Sequence, residues 1–558
     1  MRGVGLLSIL LATAALGACA GKSNGDDDDD GGSAGDESGG TTSIGESKAG
    51  KGGKAGASGS GGSSGGGATG GQSTAGEGGS ASNRGGSGGD IAEAGAPPTG
   101  GGAGGNGGSA GAGAAGKDGG GGMGGSAGGA IYRAPGDGDT WQYTSGDPLN
   151  STPPVLAPID GGVVIAGSSA DPATTGLTAF DNGITSEAFI ARLGHDGKAK
   201  WSTPLKAAGF PWNVVPAADD FIVVAPYMPD AAQVAPYYVT QDIFLAKVTP
   251  EGDVVMEKTL DFDHEETIFY ATAVAPNGDI FLAGLAMDLP ADGPIEQKVI
   301  LAKCDGGGTL LWEKTFPNTG HQAYANSIIV LPDGDLIATG AFDAELDFGG
   351  DTEPLKSSTT LEGLVSGFLV RFTASGEPVW SEQFGGDELT VGTSLALMPG
   401  SDDFFLAGAV AMDLTLGGLS LPGVPFTPDD TQSFPPSHAF LARMKASGEG
   451  VWVDRQLDSE WGNVAVTDGT TVFLGGSVET KEDASDGAVY LTTYTTNGSH
   501  GSLYGAPSGD GVSSAALVLS DDALWVSGRY AGSIDFGAGT PFTSSDAGVF
   551  LVRLPATH

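Results

Sequence analysis

Few residues in this chain have both the type and the spacing for chemistry. The six histidines, His195, His264, His321, His438, His500 and His558, fall at no zinc spacing, and neither an HExxH nor a CxxC motif exists. Acid pairs such as Glu265 with Glu266, and Asp387 with Glu388, could divide general acid and general base work if a fold held them at a suitable separation. Turns such as Asp333-Gly334-Asp335 could hold calcium, but the folded part has no complete Asp-x-Asp-x-Asp-Gly loop. No cofactor is therefore expected, and calcium is the one ion left open. Matches to Gly-x-Ser-x-Gly lie in a glycine-rich stretch, away from the strand-to-helix turn that would expose a nucleophile.

The elements that must position these residues are announced by a repeated phrase. "FLARMKASGEGVW" (Phe440 to Trp452) follows "FLVRFTASGEPVW" (Phe368 to Trp380), and the same pattern runs through "FIARLGHDGKAKW" (Phe189 to Trp201), "FLAKVTPEGDVVM" (Phe244 to Met256) and "ILAKCDGGGTLLW" (Ile300 to Trp312). A sixth copy, "YLTTYTTNGSHGS" (Tyr490 to Ser502), keeps the glycine and loses the tryptophan, and a seventh begins at Phe550. Ahead of each copy stand two β-rich runs around a tight turn, as in "ANSIIVLPDGDLIATGAF" (Ala325 to Phe342). The unit is four short antiparallel strands, A to D, with no helical periodicity, which predicts an all-β, seven-bladed β-propeller of four-stranded blades. Blades are expected to start near residues 152, 213, 267, 323, 390, 461 and 512. The seventh lacks a D strand, and "GDTWQYTSGD" (Gly138 to Asp147) has one to spare. A strand over 139–146, including Trp141, is predicted to close the ring beside Phe550 to Leu554 and to leave no open edge.

Residues 139–558 resemble the bacterial seven-bladed β-propeller repeat (SBBP) family. The resemblance is carried by "DIFLAKVTPEG" (Asp242 to Gly252), "GFLVRFTASGEPVWSEQFGG" (Gly367 to Gly386) and "DFGG" (Asp347 to Gly350). "ARMKASGEGVW" (Ala442 to Trp452) is also similar to the tryptophan-docking motif of quinoprotein propellers. The acid usual at that motif's third position is replaced by Leu193, Val248, Cys304, Phe372 or Met444. Trp201, Trp312, Trp380 and Trp452 are expected to pack between blades. The glycines of the phrase should serve turns of positive φ, and Cys304 a small apolar core position.

The N-terminal part differs in kind. Of 100 glycines, 49 lie in the first 130 residues, and residues 131–558 carry about −38 of the net charge of −43. A basic Arg2 and an apolar run from Leu6 to Leu16 read as a signal peptide over 1–18. "LGAC" (Leu16 to Cys19) is similar to the lipobox of bacterial lipoproteins. That resemblance implies cleavage before Cys19, lipidation of its thiol, and, with Ala20 next, passage to the outer membrane. Residues 19–130 then form a lipidated, disordered Gly/Ser/Ala-rich tether with an r.m.s. reach of about 60 Å, and 131–558 the propeller. So acidic a domain excludes nucleic acid as a partner.

Propellers bind at the end formed by the D-to-A and B-to-C connections. There the sequence gathers Trp212, His264, Glu265, Glu266, His321, Asp387, Glu388 and Trp461, with Tyr227, Tyr237, Tyr238 and Phe426 on B-to-C loops. This is the candidate ligand face for an envelope or extracellular protein, peptide or glycan. The first reading is a non-catalytic binding or scaffolding lipoprotein, touching the membrane only through its lipid and facing the cell exterior. The alternative is a propeller enzyme, a glycan lyase or hydrolase using Glu265, Glu266 or Asp387, or a quinoprotein relative.

Overall fold

The computed structural model describes residues 142–145, 153–169, 187–206, 208–218, 220–227, 242–288, 295–359, 364–425, 435–456, 461–479, 487–521, 523–536 and 541–555. Every regular element among them is a strand. Five four-stranded antiparallel sheets follow one another, and a seven-stranded sheet supplies two further blades. The A strands are Val155–Ile159, Asn213–Ala217, Glu266–Val274, Ala323–Val330, Thr390–Leu397, Trp461–Thr467 and the second half of His500–Ser520. Each contacts the next, and the last contacts the first, so the A strands form a closed inner ring. This is a seven-bladed β-propeller.

The burial pattern of each strand follows from its place in the blade. B strands such as Leu336–Phe342 and Phe404–Val410 are buried at every residue, because neighbouring blades cover both faces. C strands such as Ser366–Phe372 break the run only at the cation. D strands lie outermost and expose every second residue in their first half, leaving Val255, Leu311, Val379 and Val451 open to solvent.

The repeated phrase builds the joint between blades. In each complete copy the C-strand cation and the D-strand tryptophan are cross-strand partners, as in Arg371 with Trp380 and Arg443 with Trp452. At two joints both reach one carbonyl in the next blade's C–D turn. Trp452 Nε1 and Arg443 Nη1 donate to Thr496 O at 2.9 and 3.0 Å, and Trp380 Nε1 and Arg371 Nη1 donate to Ala446 O at 3.1 and 3.2 Å. Trp201 Nε1 likewise donates to Pro250 O at 2.7 Å. The indole then lies flat over the glycine two residues further on: a Cβ on Gly252 or Gly498 would stand 2.7 or 2.8 Å from the ring of Trp201 or Trp452. Met256 takes the place of tryptophan over Gly308.

The cation also binds backward into its own blade. Lys247, Lys303, Arg371 and Arg443 pair with Asp220, Asp279, Asp335 and Asp403 of the A–B turns, at 3.2, 2.7, 2.8 and 2.6 Å. The Asp-Gly-Asp turn considered for calcium is thus occupied: Asp333 and Asp335 both hold Arg371. Cys304 is buried in the blade 2–blade 3 core, and burial pushes its thiol up to about 12.

Where the phrase loses its tryptophan, the architecture changes. His500–Ser520 runs unbroken from the D strand of blade 6 into the A strand of blade 7, with Ser508 paired to both Gly487 and Ile534. Closure is made by Gln142–Ser145, which pairs with Phe542–Pro555, Gln142 opposite Val552 and Ser145 opposite Val549. Trp141 lies outside the described residues. Blade 7 then meets blade 1 through Trp525 and Leu551 against Phe189 and Ile165. Polar contacts seal the seam: Asp521 Oδ2 accepts from Gly161 N at 2.7 Å and lies 2.9 Å from His195 Nε2.

Two glycines separate the cost of a turn from the cost of the joint. At Gly334 (φ +91°) an added Cβ would meet nothing within 4 Å, whereas at Gly498 (φ +84°) it would meet the Trp452 ring. Gly334→Ala should cost about 1 kcal/mol through its backbone alone. Gly498→Ala should cost a further 1–3 kcal/mol, roughly, by overpacking. Urea melts of the two variants, read by tryptophan fluorescence, check the order.

Candidate functional site

The two ends of the ring differ. The C–D turns are uniform, spanning 249–253, 305–309, 373–377 and 445–449, each closed by a glycine of positive φ. The B–C connections vary from 289–295 in blade 3 to 411–437 in blade 5. The long and variable connections therefore lie at the end where A strands begin.

At that end, blades 2 to 5 share a cluster built from the starts of their inner strands. Ile268 and Leu285 of blade 3, Tyr324, Ala341 and Val365 of blade 4 and Val391 of blade 5 form it, with Trp212, Tyr270 and Leu389 packed against them. The rings of Tyr270 and Tyr324 meet edge to face, 6.3 Å apart at 77°. Their position depends on a bulge. The A strand of blade 3 slips register between Phe269 and Ala271, leaving Tyr270 as the extra residue. In blades 4 and 5 the same slip leaves Asn326 and Thr393. Asn326 Nδ2 donates to Gly392 O of the next blade at 2.9 Å, and Thr393 Oγ1 donates to Gly462 O. The bulge needs a glycine opposite: a Cβ on Gly284 would stand 1.9 Å from Ile268 O. Blade 3 thus puts an aromatic ring where its neighbours put a short stitching side chain.

Glu266 opens this same strand. It is 5 % exposed, and burial alone pushes its carboxyl up to about 7. Among the described residues no donor is seated on it. Tyr270 feels its charge, and burial raises both tyrosines, Tyr270 beyond the usual phenol range and Tyr324 to about 12 with Asp343 adding to the effect.

The other candidates divide into those at this mouth and those used for structure. Trp212 joins the cluster and stays half-buried. Glu265 and Asp387 are exposed, and Glu388 is partly so, all at the beginnings of blades 3 and 5. His264 is 12 % exposed and ties blade 3 together: Nδ1 lies 2.9 Å from Asp288 Oδ1, and Nε2 lies 3.0 Å from Glu313 Oε1. Burial acts to raise the Asp288 carboxyl, but hydrogen bonds from Lys298, at 2.7 Å, and His264 overcome it and hold the pKa down. The His321 ring is exposed, while its backbone N donates to Asp343 at 2.8 Å. Tyr227 bridges to Ala208 and packs into the blade 1–blade 2 core, so it pins a loop. Trp461 begins the A strand of blade 6, its side chain outside the description, and Tyr237, Tyr238, Phe426 and Cys19 lie outside the described residues altogether.

Tyr270, Tyr324, Asp288 and Glu313 stand on strands, so the composition of the loops does not point to them. The available signal is the inner-strand run "TIFYATAV" (Thr267 to Val274), with tyrosine where "YANSIIV" and "VGTSLAL" place Asn326 and Thr393. A shallow groove of about 330 Å3 also lies on the outer rim between blades 3 and 4, lined by Lys314, Phe316, Asp347, Phe348 and Glu377. It contains none of the mouth residues. Phe348, from the "DFGG" stretch, fills the wedge there against Phe316, Phe368 and Phe372.

No family model and no curated protein matches the chain. Solved structures similar to it include the Neurospora crassa Pan2 WD40 domain, at 7 % identity and a TM-score of 0.38, covering 73 % of this chain and 89 % of that one. The Dos1 propeller matches at 12 % identity and a TM-score of 0.36, covering 72 % and 93 %. A Synechocystis apocarotenoid oxygenase variant matches at 10 % and 0.35, covering 76 % and 94 %. Likenesses this distant bear on neither ligand nor activity.

Glu266 gives a pH signature. Its folded pKa is raised, so protonation stabilises the native state, and that contribution is present below the unfolded value near 4.5 and lost as pH rises through about 7. Glu266→Gln should therefore gain stability over the wild type between pH 5 and pH 8, by roughly 1–3 kcal/mol. Thermal melts at the two pH values measure it; a gap that stays constant would contradict it.

Proposed function

We propose that this protein is a non-catalytic binding or scaffold module held to the outer membrane by a lipid on Cys19 and facing the cell exterior. The observation that carries the binding part is the asymmetry of the ring. One end is built from near-identical glycine turns, and the other concentrates the long connections together with Glu265, Glu266, Trp212, Asp387 and Glu388. A rigid ring with one invariant end and one varied end suits recognition, because the scaffold fixes loops that are free to differ. The ligand class is an envelope or extracellular protein, peptide or glycan.

The anchor rests on the sequence "LGAC" and the Gly-rich segment after it, which together would place a binding ring some tens of ångströms from the bilayer. The SBBP resemblance fits the propeller architecture and adds no ligand.

Two arms test this in cells. Photo-crosslinkers at Asp387 or Glu265 should yield partner adducts, whereas a crosslinker at Asn277, in an A–B turn, should not; equal adducts at both ends would overturn the face. A clickable palmitate analogue should label the wild type and not Cys19→Ala, and external protease should digest the wild type on intact cells. Absence of label, or full protection, would overturn the anchor or the orientation.

A further inference from the structure

We propose that Glu266, with Tyr270 beside it at the edge of the aromatic cluster that also holds Trp212 and Tyr324, is a binding site for a protonated amine. This deepens the reading of the D-to-A end as the ligand face and rests on it.

Three independent observations converge. First, Glu266 is a carboxyl-bearing residue only 5 % exposed, yet no cation or hydrogen-bond donor among the described residues meets it. Its side chain is enclosed yet the carboxyl oxygens still touch solvent, so a ligand can reach them and supply the donor that the fold does not. Nearby cations are committed elsewhere: Lys298 holds Asp288 and Glu296, and Lys314 holds Glu377.

Second, Tyr270 lies close enough to feel its charge, and Tyr270 belongs to an aromatic cluster. Tyr270 and Tyr324 stand edge to face at 6.3 Å, and Trp212 packs against the same cluster, with Trp212 and Tyr270 still partly open to solvent. Aromatic faces attract cations, most strongly where water is excluded. A sugar could donate hydroxyls to the carboxyl but would bring no positive charge to it or to the ring, and an anion would be repelled by Glu266.

Third, the domain's charge is distributed to favour a cation at this end. The C-strand cations Lys247, Lys303, Arg371 and Arg443 are all drawn to A–B turn acids at the opposite end. Glu265, Glu266, Asp387 and Glu388 are left to set the potential at the mouth. An ammonium group at the carboxylate would meet a charge partner and the Tyr270 ring at once.

The linkage is specific. Binding an ammonium ion favours ionised Glu266, so with its carboxyl near 7 about half a proton should leave per amine bound at pH 7. For the same reason affinity should tighten about thirtyfold between pH 5.5 and pH 8.

The experiment is calorimetry on the full-length protein with n-butylamine, using n-butanol as the neutral isostere. It is run at pH 5.5, 7 and 8, and at pH 7 in two buffers of different ionisation heat. Expected are butylamine binding with proton release, no butanol binding, and loss of both affinity and proton release in Glu266→Gln. Comparison with a lysine-containing peptide distinguishes the source: a tighter peptide points to a partner's lysine side chain, and a tighter free amine to a small metabolite. Equal binding of butanol, or butylamine binding without proton release in the wild type, overturns the proposal. That second readout stands even if Glu266→Gln fails to fold. Should amine binding be absent while crosslinks at Asp387 persist, the amine site falls and the ligand face remains.

Discussion

The structure depends on one kind of contact between blades: a D-strand indole N–H donating to a carbonyl of the next blade's C–D turn, a carbonyl that at two joints is shared with a guanidinium. Blades in a ring touch closely near the axis and diverge outward, so the outer half of each boundary is a wedge that must be filled. Tryptophan fills it because it is large and flat and carries a donor at its edge. The glycine below lets the ring come to van der Waals contact with backbone. The Trp452, Arg443 and Thr496 arrangement shows the economy of the device, since one turn carbonyl is satisfied twice and the guanidinium still reaches Asp403. These hydrogen bonds are charge-assisted at the arginine, which makes them stronger than neutral ones.

The same device arranges the protein's charge. By committing its C-strand cations to the A–B end, the repeat leaves the opposite end acidic without any residue there having been placed for that purpose. The mouth itself is a local departure from the repeat. Blade 3 departs furthest: it substitutes tyrosine for the short bulge residue, opens its A strand on a buried acid, and braces the entry with His264 between Asp288 and Glu313. Blade 6 departs in another direction, losing the tryptophan and gaining a strand that runs through into blade 7.

Much of this is legible in the sequence, for a physical reason. The repeated glycines lie 50 to 72 residues from the next copy and, with the tryptophans, must satisfy the same geometry each time, so they recur and can be aligned. Blade number, strand order and the closing strand follow from them. The C-strand cation recurs just as plainly, but its two partners lie in other turns, and a one-dimensional pattern does not reveal which acids a long side chain will reach. The site is less legible. Tyr227 reads as a loop aromatic and is a plug, while Tyr270 and Tyr324 read as strand residues and border the mouth. The difference is set by a one-residue bulge, which alternation along the strand does not announce. "DFGG" is readable as a family mark, yet the work of Phe348 as a filler between blades emerges only from its three aromatic neighbours.

The closing strand has a consequence for the order of synthesis. Gln142 and Val552 are neighbours in blade 7 but lie more than 400 residues apart along the chain. The residue made early must wait for the one made near the end. Until then the first and last blades each have a neighbour on one side only and present an uncovered face. Joining ends so distant costs about 3 kcal/mol more than closing a fifteen-residue hairpin. The seam contacts of Asp521, Gly161 and His195 must hold against that cost. A chain emerging from the ribosome would therefore remain an open arc through nearly all of its synthesis and become a ring only in its last moments.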